Sequence, residues 1–364
     1  MKRREFVTAS AILALLSGSS ARAAPAAQNT RRTTPAKPAG KKAAPAERPP
    51  AIILPDEPPP QWTDYELRTT IALKNADGGA RLWLPLAQYR DTAWERSFGH
   101  RWEGNYRMAS IYREPVVDME VFYAEWPEDV VEPKLEIVSR VATQNRQFDI
   151  TRRGAAAERT EILRHCLRPT ARVSIDGIMR QTALRAVGRI KDPLAQAKAL
   201  YDWVVENTSY DPRTQGAGYT PIASLLEDGH LTGRSIEISL LFVGLCRAVG
   251  IPARPVFGLR VDRSRLFASL GVSGESNPPH CRAEFYSPAY GWVPVDPSDV
   301  RRAILTESLS RDDPRLTSLK KLLFGFWEMN WIGFNTAQDV FPQGSSGGPL
   351  PCLTGPIVET HAGR

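Results

Sequence analysis

Residues 233–252 read Gly-Arg-Ser-Ile-Glu-Ile-Ser-Leu-Leu-Phe-Val-Gly-Leu-Cys-Arg-Ala-Val-Gly-Ile-Pro. From Ile236 to Val249 the apolar positions run almost all the way round a helical wheel, which predicts a buried central helix. Gly250 supplies a left-handed cap and Pro252 blocks continuation, so the helix is expected to span Ser235 to Val249. Downstream, Ala283–Tyr286 and Trp292–Val295 read as a strand pair about a Tyr290-Gly291 turn, and another strand ends near Arg260-Val261. A buried helix against an antiparallel sheet predicts an α+β core.

Three side chains on this framework carry chemistry. Ser235 opens the helix, His280 begins His280-Cys281-Arg282-Ala283-Glu284, and Asp296 follows Gly291-Trp292-Val293-Pro294-Val295. These motifs, in this order, resemble the core of the transglutaminase-like superfamily, whose members share a papain-like fold and use a Cys, a His and an Asp. Fifteen residues before Gly250, where the family carries its nucleophilic Cys, stands Ser235; His280 and, 16 residues on, Asp296 match the other two. Glu237 stands where the family has Asp. Tyr201–Tyr210 resembles the helix before the family's active site. Leu323–Trp331 and the His280–Glu284 motif resemble a bacterial subgroup, so the likeness spans Asp192 to Asp339.

The resemblance implies amide hydrolysis or acyl transfer through a covalent acyl-enzyme, with His280 as base and Asp296 as its orienter. A thiol at a helix N-terminus is acidified by the macrodipole. A hydroxyl is not, and must give its proton to the base during attack. The expectation is therefore a degenerate member, weakly active or non-catalytic, that binds a peptide, protein or envelope polymer in the cleft. The alternative is an active amide hydrolase or acyl transferase using a Ser235–His280–Asp296 triad. Ser235 also suits a plain helix N-cap. Neither Cys281, on the opposite strand face from His280, nor Cys246, roughly 16 Å along the helix, replaces the nucleophile.

The rest of the chain divides around this core. Residues 1–23 resemble a twin-arginine signal, with Arg3-Arg4, an apolar run Ala11–Leu16 and a small-residue site Ala21-Arg22-Ala23. That run is too short for a stable membrane span, so a periplasmic or secreted protein is expected. Residues 24–60 are a Pro/Ala/Lys-rich linker expected to be disordered. Residues 61–165 alternate as strands, at Thr63–Lys74, Arg81–Leu86, Val117–Ala124 and Leu135–Ala142, and predict a β-sandwich-like domain with Trp83, Trp94, Trp102 and Trp126 as core fillers. The transglutaminase-like domain is assigned to 166–340 and an irregular tail to 341–364. Asp192 and Pro193 mark the start of another helix, whereas Asp176-Gly177 reads as a turn.

Charge and cysteines narrow the function classes. The net charge is +7, yet residues 1–50 hold 10 Lys+Arg and 2 Asp+Glu, leaving 37 against 38 in the remainder. The folded part is near neutral, which argues against nucleic-acid binding. Cys166, Cys246, Cys281 and Cys352 have no C-x-x-C spacing, and His100, His165 and His361 no ligand spacing, so neither a metal nor a cofactor is expected. His230, in the loop before Ser235, either lines the cleft or faces solvent, the latter being the default. Cys166 and Cys352 either pair with each other or stay as free thiols.

Overall fold

The computed structural model describes residues 61–74, 78–149, 154, 157–214, 220–272 and 277–360, and the backbone of 5–11. The apolar leader run beyond Ala11, its small-residue site and the 24–60 linker lie outside the described residues.

The first strands are β1 (Glu5–Ala11), β2 (Thr63–Ala72), β3 (Ala80–Pro85), β4 (Glu95–Gly104), β5 (Met108–Glu114), β6 (Met119–Trp126) and β7 (Lys134–Thr143). They form two sheets, β1-β2-β7-β4 and β3-β6-β5. Ile71, Leu73, Leu82, Leu84, Phe122, Trp126, Leu135 and Ile137 fill the space between them, so alternation along each strand builds a sandwich. The pair β4 and β5 has no clear alternation in sequence, being edge strands with largely exposed side chains. His100 ties the two sheets, with Nδ1 2.7 Å from Ser139 Oγ and Nε2 3.0 Å from Glu120 Oε2. Trp83 and Trp126 are core residues as expected, but Trp102 is 37% exposed at the sandwich edge. The segment 5–11, expected as part of a leader, runs parallel to β2 from Glu5↔Tyr65 to Ala11↔Ile71.

After the short β8 (Arg146–Gln147) the helical part begins: α1 (Thr160–His165), α2 (Gly177–Val187), α3 (Pro193–Asn207), β9 (Ser209–Tyr210), α4 (Ile222–Glu227), β10 (Thr232–Gly233) and α5 (Ser235–Ala248). Asp192 caps α3 by accepting the Ala195 N–H at 2.8 Å, with Pro193 at the first helical position. The expected turn at Asp176-Gly177 is instead the start of α2. A glycine there hides the helix, because it weakens the local propensity.

The central helix α5 is buried on nearly every side. It ends in a Schellman motif: Gly250, at φ 83°, donates to Arg247 O, and Ile251 N–H donates to Cys246 O at 3.0 Å. It lies on a four-stranded antiparallel sheet of β11 (Ala253–Arg260), β12 (Pro279–Ser287), β13 (Gly291–Val295) and β15 (Trp331–Asn335), ordered β13-β12-β11-β15. Helices α6 (Pro297–Thr306) and α7 (Pro314–Leu322) follow β13, β14 (Phe326–Trp327) precedes β15, and β16 (Ile357–Thr360) comes last. Helices α2, α3 and α6 pack around α5, and Leu200, Tyr201, Ile238, Phe242, Phe285 and Val295 share its core.

The C-terminal segment departs from the expectation of an irregular tail. Strand β16 joins the outer edge of β3, from Ile357↔Trp83 to Thr360↔Ala80, and completes a second four-stranded sheet. Leu350 and Leu353 pack on Trp83, Met119 and Val121 across that sheet. The strand is only four residues long and follows Gly347-Gly348-Pro349 and Gly355-Pro356, so the local sequence reads as irregular. The four cysteines are free, so Cys166 and Cys352 are not joined.

Candidate functional site

The register of β12 and β13 builds the candidate site. Ala283 faces Val295, so Asp296, one residue beyond, stands level with Arg282 and near His280 at the strand's start. Asp296 is also the N-cap of α6: its Oδ1 accepts the Asp299 N–H at 3.0 Å and the Ser298 hydroxyl at 2.8 Å. Pro297 at the first turn fixes the helix entry. One carboxylate oxygen is thus consumed by the cap, and the other faces His280.

His280 Nε2 lies 2.8 Å from Asp296 Oδ2. With Nε2–H donating to the carboxylate, the neutral ring keeps Nδ1 as its unprotonated nitrogen. Burial, seconded by the Arg260 guanidinium, holds the His280 pKa well below the ordinary value of 6.5. A neutral imidazole at neutral pH is the form a general base requires.

Ser235 is the first residue of α5, and Arg234 is the N-cap, so the simple capping role expected for Ser235 does not hold. Its Oγ instead accepts the Cys281 backbone N–H at 3.2 Å, which brings the helix N-terminus to the β12 residue next to His280. Among the described residues no hydrogen bond joins Ser235 to His280. Glu237 reaches back to accept the Arg234 N–H at 3.0 Å and pairs with buried Arg172 at 3.3 Å. Gly233 lets this happen: a Cβ there would lie 2.5 Å from the Glu237 Cβ.

The sequence points to these three residues but not to their charged surroundings. Arg282 Nε sits 3.2 Å from Asp296 Oδ2, close enough to pair though not aligned as a hydrogen bond. Asp299 lies 3.6 Å from His280 Nε2 and is held by Arg260. His280, Asp296 and Asp299 form a compact donor set, but each carboxylate already faces a guanidinium. That arrangement is unfavourable for a divalent cation, which needs its carboxylates uncompensated. No local sequence signal marks these pairs; only the fold shows which Arg meets which acid.

Cys281 and Cys246 do not substitute for the nucleophile. Both are buried, and burial drives both thiols well above their ordinary pKa. His230 is an exposed loop residue five positions before Ser235.

Further along β12, Glu284 accepts Arg146 Nη1 and Arg254 Nε, each at 2.6 Å, while Arg254 also reaches Asp118 of the sandwich at 3.4 Å. Arg146 stacks on Trp94 and Trp327, with its guanidinium carbon 3.9 Å and 4.6 Å from their centroids. The end of the His280–Glu284 motif is therefore a clasp between sandwich and core rather than part of the reacting cluster.

Comparison with known proteins finds a family and several similar chains. Residues 180–297 match the core of the transglutaminase-like superfamily. An uncharacterised protein of Haemophilus influenzae is 32% identical over 303 residues, covering 77% of this chain and 81% of that one. Among solved structures, a candidate cysteine protease from Cytophaga hutchinsonii aligns with a TM-score of 0.49 at 15% identity, over 65% of this chain and 79% of that one. The periplasmic domain of TgpA from Pseudomonas aeruginosa aligns with a TM-score of 0.35 at 16% identity, over 67% and 93%. The family match covers the buried helix and three of the four strands of its sheet, and this chain belongs to the transglutaminase-like superfamily.

Proposed function

We propose that this is an exported transglutaminase-like protein whose cleft binds a peptide or envelope polymer at the N-terminus of α5, with little or no turnover. The observation that carries this reading is the Ser235 hydroxyl: it is engaged by the Cys281 amide at 3.2 Å and offers no thiolate. A helix dipole and an imidazole together ionise a thiol, whereas a hydroxyl, with a far higher pKa, stays protonated. Export is supported by Arg3-Arg4, the short apolar run and Ala21-Arg22-Ala23. No helix among the described residues is long and apolar enough to cross a membrane. The ligand class follows from what superfamily clefts hold, an extended chain with amide bonds.

The test is a fluorophosphonate probe on the purified wild-type protein. Absence of Ser235-dependent labelling, together with saturable binding of peptides or soluble envelope-polymer fragments, supports the proposal. A second reading, an active Ser–His–Asp amide hydrolase, draws on the 2.8 Å His280–Asp296 contact. It requires labelling that Ser235→Ala and His280→Ala both abolish.

A further inference from the structure

A second polar cluster lies in the sandwich and shares no residue with the Ser235 site. Strands β4 and β5 are end strands of different sheets, and the sandwich is open between them. The opening is a cavity of about 450 Å³ lined by Tyr89, Ser97, His100, Arg113 and Glu120. Strand β4 bulges between Ser97 and His100, where Gly99 sits at φ 92° with open space in place of a Cβ. A bulge on an edge strand re-aims the side chain beside it, and His100 turns in between the sheets. Its Nδ1 meets Ser139 Oγ, opposite it on β7, at 2.7 Å, and its Nε2 meets Glu120 Oε2, on the other sheet, at 3.0 Å. The remaining Glu120 oxygen accepts Arg113 Nε at 2.7 Å. Burial works against the Glu120 charge, but the hydrogen bonds from His100 and Arg113 outweigh it and hold the carboxyl below its usual value. The His100 and Glu120 side chains are 5% and 2% exposed, so both carboxylate oxygens are spent inside the wall.

Arg113 is the member that faces out. Its side chain is 58% exposed, and its guanidinium carbon stands 4.7 Å from the Tyr89 ring centroid. The Glu120 bond and the ring hold the group in one orientation. Its two Nη groups have no hydrogen-bond acceptor among the described residues, and they stand preorganised at the cavity. A guanidinium presented this way pairs with a planar carboxylate through two parallel N–H···O bonds. Ile111 and the Tyr89 ring add apolar wall for a carbon skeleton. Apolar side chains of similar volume would pack this edge as well as the buried polar chain does. The polar chain fixes Arg113, which they could not. We propose that the cavity between β4 and β5 binds a small carboxylate-bearing ligand, with the Arg113 guanidinium as its anchor. The volume suits one sugar acid or a dipeptide, since ligand pockets begin at roughly 300 Å³. The Glu120 charge behind Arg113 favours a monoanion over a phosphate dianion, because repulsion grows with the ligand's charge.

The experiment uses the purified full chain, with glucuronate and N-acetylglycylglycine as carboxylate probes and glucuronamide and N-acetylglycylglycinamide as their uncharged counterparts. Binding is followed by NMR shifts of the His100 imidazole, which lines the cavity. A saturable shift with at least one acid, at an affinity about tenfold above that of its amide, is expected from a charge-assisted pair. The tighter of the two acids identifies the source of the carboxylate. Arg113→Gln should bring the acid down to the affinity of its amide, and Arg113→Lys should keep part of the difference. Thermal melts separate binding from structure. A lower melting temperature for Arg113→Gln with unchanged acid affinity would mean that Arg113 serves the fold alone, and would overturn the proposal. Acid and amide binding alike, inorganic phosphate binding more tightly than either acid, or no saturable shift would each overturn it as well. The acid–amide comparison in the wild type decides even if a variant fails to fold. Neither probe nor readout involves Ser235, so a failure here is separate from a failure of the cleft reading.

Discussion

Ser235 Oγ accepts the Cys281 amide proton at 3.2 Å, which leaves the serine's own proton free for donation. The hydroxyl is therefore oriented by β12 but not deprotonated by it. Ser235→Cys places a thiol at the same helix N-terminus, where the macrodipole lowers its pKa below about 8.5. The expected outcome is rapid alkylation of the introduced thiol by iodoacetamide, with Cys246 and Cys281 unreactive because burial has pushed both thiols up. Labelling no faster than at those two positions would show that the helix terminus does not activate a nucleophile.

His280 should stay neutral through the physiological range. Its folded pKa lies well below 6.5, from burial first and the Arg260 charge second. Between the folded and unfolded values the unfolded chain binds the extra proton, so this group costs stability as pH falls through about 6.5. NMR of the imidazole protons should show no titration of His280 near pH 6.5. If Ser235 did turn over substrate, its rate would already be on a plateau there. A midpoint at the ordinary histidine value would mean that Arg260 and burial do not act as the geometry requires.

The parts of this fold that are legible in sequence are those where one residue forces one conformation. Asp192-Pro193 starts α3 and Gly250-Ile251-Pro252 ends α5, each through a cap whose geometry admits few other residues. His280 and Asp296 are marked by the family resemblance, and the antiparallel hairpin turns their 16-residue separation into adjacency. What remains hidden depends on contacts far apart in the chain. Nothing local says that Ile357–Thr360 pairs with β3, or that Asn335 holds Leu353. Arg146, 138 residues from Glu284, is a further case: buried ion pairs between domains leave no periodic trace.

Glu284 should be the most sensitive charged residue outside the Ser235 cluster. Burial works against its charge, but Arg146 and Arg254 outweigh it and hold its carboxyl below the usual value. Glu284→Gln leaves two buried guanidinium groups without a carboxylate, a loss of roughly 3–5 kcal/mol. Urea unfolding monitored by tryptophan fluorescence is the measurement, since Trp94, Trp292 and Trp327 all stack on these arginines. The wild-type contribution should fade as pH drops through the carboxylate range, and the variant should lack that slope. A change below about 1 kcal/mol would place the clasp among exposed pairs in energetic weight.

Glu95 carries the opposite sign. It is buried at the start of β4, where its Oε2 accepts the Gly333 N–H at 3.2 Å and its Oε1 has no partner. Burial raises its pKa from 4.5 to about 8, against the opposing pull of the Gly333 hydrogen bond and the Arg282 charge. Here the folded chain holds a proton that the unfolded chain has released, so stability falls as pH rises from about 4.5 and levels off above about 8. A cavity of about 50 Å³ adjoins it, lined also by Arg146, Arg254 and Glu284, so the strain falls on the seam between sandwich and core. Glu95→Gln keeps the shape and removes the titration. It should leave the melting temperature near that of the wild type at pH 5 and raise it relative to the wild type at pH 9, a gain in stability on the order of a few kcal/mol. The comparison is a pair of thermal melts at each pH. Equal responses of the two proteins between pH 5 and 9 would show that Glu95 is already ionised in the fold, and that Arg282 supplies more stabilisation than burial removes.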